Sequence, residues 1–254
     1  MAAVAKLLRS AERRRAGRFL AEGPNLIGAA VRRGLVEEVF ATPDAAERHG
    51  DLFSGLPTHA ITDAAAKKLS ETVTPPGLVA VCRVPHADLD EILVAKPALL
   101  VVAVELAEPG NAGTVIRTAD AMGADAVVFA GHGVDPYNGK CLRASAGSIF
   151  ALPVLSTPEL SSAELLGRLR AAGLVVLATT LDGELSLDDA QGVLAKPTAW
   201  IFGSESHGLP REIVAGADHR VVIPMSGGAE SLNVAAAAAI CLYVTSRAHR
   251  VREP

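Results

Sequence analysis

From residue 18 onward the chain alternates short apolar runs with stretches whose apolar residues recur at helical spacing. Residues 19–21, 36–41, 59–61 and 78–82 read as strands, and residues 24–33, 44–50 and 63–69 as helices between them. The first of these helices begins at a proline, Pro24, which favours the first helical position. This alternation suffices for a small α/β domain. A second pattern opens at Ala98. Residues 99–104, LLVVAV, form a continuous apolar run, as expected of a parallel strand covered on both faces. Further strands are predicted at 126–130, 174–178, 198–202 and 220–223, and helices at 112–122, 163–172 and 210–215. The last helix follows Ser231-Leu232-Asn233 and is almost wholly alanine, the best helix former. The proline-flanked stretch 86–97 reads as a linker. The predicted division is therefore 1–85, 86–97 and 98–254, with a doubly wound or closely related parallel sheet in the last part.

Composition narrows the class. Half of the 254 residues are hydrophobic but only 4% are aromatic, so Ala and Val carry a core of closely packed layers. The longest apolar run, 234–244, is too short to span a bilayer. The N-terminus is basic but has no apolar signal core. Cys82, Cys141 and Cys241 lie far apart and make no zinc signature. A cytoplasmic protein without a metal or a membrane anchor is expected. The net charge of −4 calls for no polyanion. Its distribution does: Lys6, Arg9, Arg13, Arg14, Arg15 and Arg18 face a single acid, Glu12, within the first 20 residues, and Arg247, Arg250 and Arg252 crowd the other end. Solvated termini and a phosphate-gripping arm are both compatible with that charge.

Three strand-to-helix loops carry the candidate chemistry. The first is ELAEPGNAGTVIRTA, residues 105–119, with Asn111 at a position that suits a helix cap and Arg117 in the second turn. The second is IFGSESHGLP, residues 201–210, where two glycines frame Glu205. The third is IPMSGGAESLN, residues 223–233. Each alone is weak, since Asn111 could simply cap, Arg117 could pair on the surface and His207 is better read as a loop residue. Ligands of parallel sheets bind outside the carboxyl ends of the strands, so three such loops converging on one pocket mean more than any one of them. No G-x-G-x-x-G follows a strand, and no G-x-S-x-G elbow is present. GVDPYNGKC, residues 133–141, mimics a phosphate loop but is one residue too long and has Cys where Ser or Thr must hold magnesium.

In order and spacing the loops resemble the three motifs of the SpoU (TrmH) family of RNA 2′-O-ribose methyltransferases, in the SPOUT superfamily. Glu-Pro-Gly-Asn-Ala-Gly with Arg117, Phe-Gly-Ser-Glu with Gly-Leu-Pro, and Ile-Pro-Met with Ser-Leu-Asn-Val carry the likeness over residues 98–246. Many members have Asp before the proline where this chain has Glu108. RFLAEG, residues 18–23, followed by a helix, resembles the L30e/L7Ae-like substrate-binding domain of the ribosomal-RNA branch. The resemblance implies an α/β fold in which a SPOUT domain with a deep trefoil knot follows a small L30e-like domain. It also implies a homodimer, an S-adenosylmethionine cofactor and an RNA substrate, with 23S ribosomal RNA favoured. Arg117 would be the main catalytic group, with Asn111, Glu205, Ser231 and Asn233 orienting it. Thr180, Gly203, Ile223, Met225, Leu232 and Asn233 would hold the cofactor. Arg13, Arg14, Arg15, Arg18 and Arg143 would contact RNA. A transfer-RNA methyltransferase, a non-catalytic ribosome-assembly protein and an enzyme of small nucleosides remain the rival readings.

Overall fold

Gly17, in the left-handed conformation at φ 61, ends a short basic helix and turns the chain into its first strand. The computed structural model describes residues 2–252. Helices α1 (Ala2–Ala5) and α2 (Ser10–Ala16) precede β1 (Arg18–Glu22), α3 (Pro24–Arg32), β2 (Val36–Ala41), α4 (Pro43–His49), β3 (Thr58–Ala60), α5 (Asp63–Leu69) and β4 (Leu78–Arg83). The four strands form one sheet in the order β1-β4-β2-β3. β4 lies antiparallel to both β1 and β2, and only β2 and β3 run parallel. The basic N-terminus is therefore no free arm. Leu7 is buried with Leu20, Phe40, Leu69, Val79 and Val81, and Val4 and Leu8 pack beside them.

The segment predicted as a linker contains a helix, α6 (Leu89–Val94). Asp88 caps it by accepting from the Asp90 and Glu91 N–H groups, and Leu89 and Leu93 are buried. The flanking prolines concealed a turn and a half of amphipathic helix.

The remaining elements are β5 (Leu99–Val104), α7 (Pro109–Ala121), β6 (Ala126–Ala130), α8 (Gly139–Ser145), β7 (Val154–Thr157), α9 (Ser162–Ala171), β8 (Val175–Thr179), β9 (Leu185–Ser186), α10 (Gln191–Leu194), β10 (Thr198–Phe202), α11 (Arg211–Gly216), β11 (His219–Val222) and α12 (Val234–Arg252). They build a seven-stranded sheet in the order β7-β6-β5-β10-β8-β11-β9. Every pairing in it is parallel. All six side chains of β5 are buried. Leu99, Val101 and Ala103 share a core with residues of α7 and α12, while Leu100, Val102 and Val104 face residues of α6, α9 and α11. That two-sided cover explains the unbroken apolar run. Trp200 in β10 is fully buried, and its Nε1 donates to Thr245 Oγ1 at 2.8 Å. The Thr245 hydroxyl in turn donates to the Cys241 carbonyl, which ties α12 to the sheet.

The two sheets share one core. Phe19 of β1 packs on Tyr137 and Phe150, with ring centroids 5.1 and 5.9 Å apart. Where α7 meets α8, a Cβ on Gly113 would lie 2.4 Å from the Cys141 carbonyl oxygen, so only glycine allows that approach. The three cysteines are buried and free. Among the described residues, no helix is long and apolar enough to cross a membrane and no group of three or more metal-ligating side chains occurs.

Candidate active site

Pro109 occupies the first turn of α7, so the cap falls on the residue before it. Glu108, not Asn111, caps the helix: its Oε2 accepts from the Asn111 N–H at 2.8 Å. Its other oxygen meets the Lys140 ammonium. The Lys140 hydrogen bond first, and then the Asn111 N–H, hold the Glu108 carboxyl below its usual range. The Asn111 side chain is thereby released for another use. Its Nδ2 donates to Glu205 Oε1, and its Oδ1 accepts from Asn233 Nδ2 at 3.1 Å. Asn233 Oδ1 caps α12 by accepting from the Ala235 N–H at 2.9 Å. One side chain from each loop thus joins a single chain of hydrogen bonds, with every donor directed towards the Glu205 carboxylate.

Beside this relay lies a pocket of about 540 Å³ over the carboxyl ends of β8, β10 and β11. Thr180, Gly203, Glu205, Ile223, Met225, Ser231 and Leu232 line it. Leu181, Asp182 and Val214 line it as well; the sequence reading did not single these out. Thr180 and Asp182 follow the end of β8, a position that by itself marks a rim residue of a parallel sheet. Gly203 has an internal reason to be glycine. Ser204 and Gly208 exchange backbone hydrogen bonds at 3.1 and 2.9 Å, and a Cβ on Gly203 would sit 2.3 Å from the Gly208 carbonyl carbon. The clasp holds Glu205, Ser206 and His207 at the pocket mouth.

Thr180 Oγ1 is buried without a hydrogen-bond partner among the described residues. An orphaned buried hydroxyl costs about 1–3 kcal/mol, so the pocket is built to receive a polar group there. Thr157 and Thr198 have orphaned hydroxyls too, but neither lines the pocket. A hydroxyl at one end and apolar Ile223, Met225 and Leu232 fit an amphipathic ligand such as S-adenosylmethionine.

Arg117 does not join the pocket. It lies exposed on α7, six residues beyond Asn111 or about 9 Å along the axis, with no ion pair or hydrogen bond to the described residues. The arginines expected to contact RNA divide. Arg13 is taken out of that set. Its side chain is 6% exposed, pairs with Asp135 at 2.7 Å and donates to the Leu7 and Leu8 carbonyls. Arg143 is turned to Glu22 at 3.5 Å, a mostly buried carboxylate at the seam between the sheets, which needs a counter-charge. Arg15 pairs with Glu12 and Arg18 with Glu37, each at 2.7 Å. Arg14 is exposed and has no partner among the described residues. The Arg252 side chain lies outside the described residues.

A larger cleft of about 860 Å³ sits at the seam, lined by residues of α3, α4 and the turn after α8. Arg32 and Arg48 there are balanced by Asp51 and Asp120, and none of the three motif loops reaches it.

The comparisons with known proteins agree with the geometry. Residues 98–243 match the SpoU rRNA Methylase family, and residues 2–80 match the MRM3-like substrate binding domain. The chain is 36% identical over 239 residues to the 23S rRNA (guanosine(2553)-2′-O)-methyltransferase RlmP of Bacillus subtilis, covering 94% of this chain and 92% of that one. It is 35% identical over 247 residues to the 23S rRNA (uridine(2479)-2′-O)-methyltransferase of Streptomyces viridochromogenes, covering 93% and 85%. Its fold matches the crystal structure of the SpoU methyltransferase AviRb from Streptomyces viridochromogenes in complex with AdoMet. The TM-score is 0.87, with 34% identity and coverage of 100% of this chain and 98% of that one. The chain belongs to the SpoU rRNA methylase family.

Proposed function

We propose that the protein transfers a methyl group from S-adenosylmethionine to a ribose 2′-oxygen of 23S ribosomal RNA. The observation that carries this reading is the relay Asn233–Asn111–Glu205, which draws the three motif loops together beside a pocket with an orphaned hydroxyl. Thr180, Gly203, Ile223, Met225 and Leu232 would hold the cofactor, and Asn233 would fix the loop beneath it. When bound, S-adenosylmethionine supplies an already activated methyl group. The chain's own task is then to align the ribose and raise the nucleophilicity of its oxygen. Alignment alone contributes up to roughly 7–11 kcal/mol in well-oriented systems. Glu205, held on one oxygen by Asn111, and Ser231 face the pocket and orient the ribose. Arg117 stabilises the charge that develops on the 2′-oxygen, or anchors the adjacent phosphate. Its guanidinium has no partner among the described residues and is free to meet RNA. An arginine rarely gives up its proton, so it is not cast as the base.

The same reading divides the chain into a substrate-binding part at 1–85, a connector at 86–97 that includes α6, and a methyltransferase part at 98–254. It carries the trefoil knot of the family, a cytoplasmic site of action and a homodimer. Ala236, Ile240 and Tyr243 support the dimer: they form an exposed stripe on α12, and Tyr243 is 52% exposed.

The test is transfer of labelled methyl to unmodified total RNA, separated into 23S, 16S and transfer RNA. Label in 23S that disappears with Arg117→Ala is the expected result. Label in transfer RNA would reassign the substrate. Binding of RNA without transfer would leave a binding protein on this fold.

A further inference from the structure

The carboxyl rim of the large sheet holds a second cavity. A cleft of about 790 Å³ lies over the ends of β6 and β7, on the other side of the 105–108 loop from the methyl-transfer pocket. Ala107 of that loop lines the cleft, while Asn111 just beyond it touches Glu205 of the pocket. Strand spacing of about 4.8 Å separates the two cavities by two to three strands, or roughly 10–15 Å. Both parts of the chain build the walls: Arg14, Gly17, Val84 and Pro85 on one side, Gly131-His132-Gly133, Ser156 and Pro158 on the other.

The charges of the cleft are unequal. Its one acid, Asp135, is fully used, because Oδ2 takes Arg13 Nε and Nη2 at 2.7 Å and Oδ1 accepts the Tyr137 N–H at 2.9 Å. Arg13 is neutralised in the same contact. Arg14 and His132 remain, exposed and without a side-chain partner among the described residues, so the cleft sets a free guanidinium beside an apolar floor of Phe129 and Val154. At its boundary Glu105 adopts the left-handed conformation, φ 52, with its side chain laid over Gly131 and no partner among the described residues. A non-glycine residue held there is strained, and such strain gathers at ligand sites.

We infer that this cleft seats a nucleotide flanking the methylated one, with its phosphate on Arg14 and its base in the apolar floor beside His132. Glu105 accepts from a donor edge of that base. Single-stranded RNA is held by this pairing of a cation for the backbone with an apolar face for the base. The inference rests on the proposed RNA substrate.

The experiment measures steady-state methylation of unmodified 23S rRNA, and its binding at several salt concentrations, by the full chain and four variants. Arg14→Ala removes the phosphate contact, and Arg14→Lys restores a charge. Ser156→Trp fills the cleft from an exposed position, and Arg33→Ala makes the same charge change outside it. The expected result is a rise of about tenfold in KM for RNA with Arg14→Ala and Ser156→Trp. The salt slope of Arg14→Ala falls by about 0.7, the value for one phosphate contact on a single strand. Cofactor affinity is unchanged, Arg14→Lys recovers part of the loss, and Arg33→Ala behaves as wild type. Unchanged KM and salt slope in both cleft variants, with wild-type methylation intact, would overturn the cleft alone. A wild type that binds 23S rRNA without methylating it fails the function, and the binding constants then decide the cleft in place of KM. A wild type that neither binds nor methylates RNA overturns both.

Discussion

Arg13 and Asp135, 122 positions apart, form a nearly buried ion pair at 2.7 Å that fastens the first helical segment to the loop after β6. Removing one partner strands the other charge. Arg13→Ala should therefore cost about 3–5 kcal/mol of unfolding free energy, measured by urea denaturation. A loss below 1 kcal/mol would mean that water or another group relieves Asp135.

Asn233 has two tasks that substitutions can separate. Its Oδ1 caps α12 and its Nδ2 donates to Asn111. Asn233→Ala should lose about 1 kcal/mol of stability from the cap and also most of the turnover. Asn233→Asp keeps the cap acceptor but sets a carboxylate against Asn111 Oδ1. It should melt near the wild-type temperature and still transfer methyl slowly. Thermal melts alongside single-turnover rates check both.

Arg117→Ala should lower kcat by about 100-fold, the scale of one lost charge-stabilising group, with cofactor affinity held within about twofold. Calorimetric titration with S-adenosylmethionine and a turnover assay give the two numbers. Lost cofactor binding with normal residual chemistry would remove Arg117 from its role.

Glu108 sets an acid limit. Its carboxyl titrates below the ordinary value of 4.5, because Lys140 and the Asn111 N–H favour its charged form. A lowered folded-state value means stabilisation that is complete above 4.5 and lost as pH falls through the folded value. The stability gap between wild type and Glu108→Gln should be constant near neutrality and close only below that point. Because the group is largely exposed, the gap should be small. Melting curves from acid to neutral pH test it.

Gly113→Ala drives a methyl into the Cys141 carbonyl and the Ala144 side chain. It should destabilise by about 1–3 kcal/mol and displace Asn111 on the same helix. Activity should fall more than stability, read from kcat against the denaturation midpoint.

Much of this was legible in the sequence, part of it from the pattern of residues and part from the family resemblance. The run LLVVAV became β5 with the predicted ends because both of its faces are covered. The pocket gathered Thr180, Gly203, Ile223, Met225 and Leu232, which the family resemblance named for the cofactor, with Glu205 and Ser231, because their loops leave the carboxyl ends of the neighbouring strands β8, β10 and β11. What stayed hidden depended on contacts between distant segments. Nothing local tells Arg13 from Arg14, yet the helix turns one to Asp135 and the other to solvent. Asn111 was read as the cap of α7, although Pro109 at the first turn puts the cap on Glu108, and the prolines on either side of 86–97 concealed α6. The antiparallel order β1-β4-β2 was also out of reach, since alternating helices and strands suggest parallel pairing.

Phe19, tilted on Tyr137 and stacked on Phe150, gives the two sheets a common floor instead of a hinge. Any RNA feature gripped by the first sheet is consequently held at a set offset from the pocket. On the proposed reading the chain would act as a ruler, choosing its nucleotide by distance from a landmark, and a one-nucleotide insertion between landmark and target should move the mark, not abolish it.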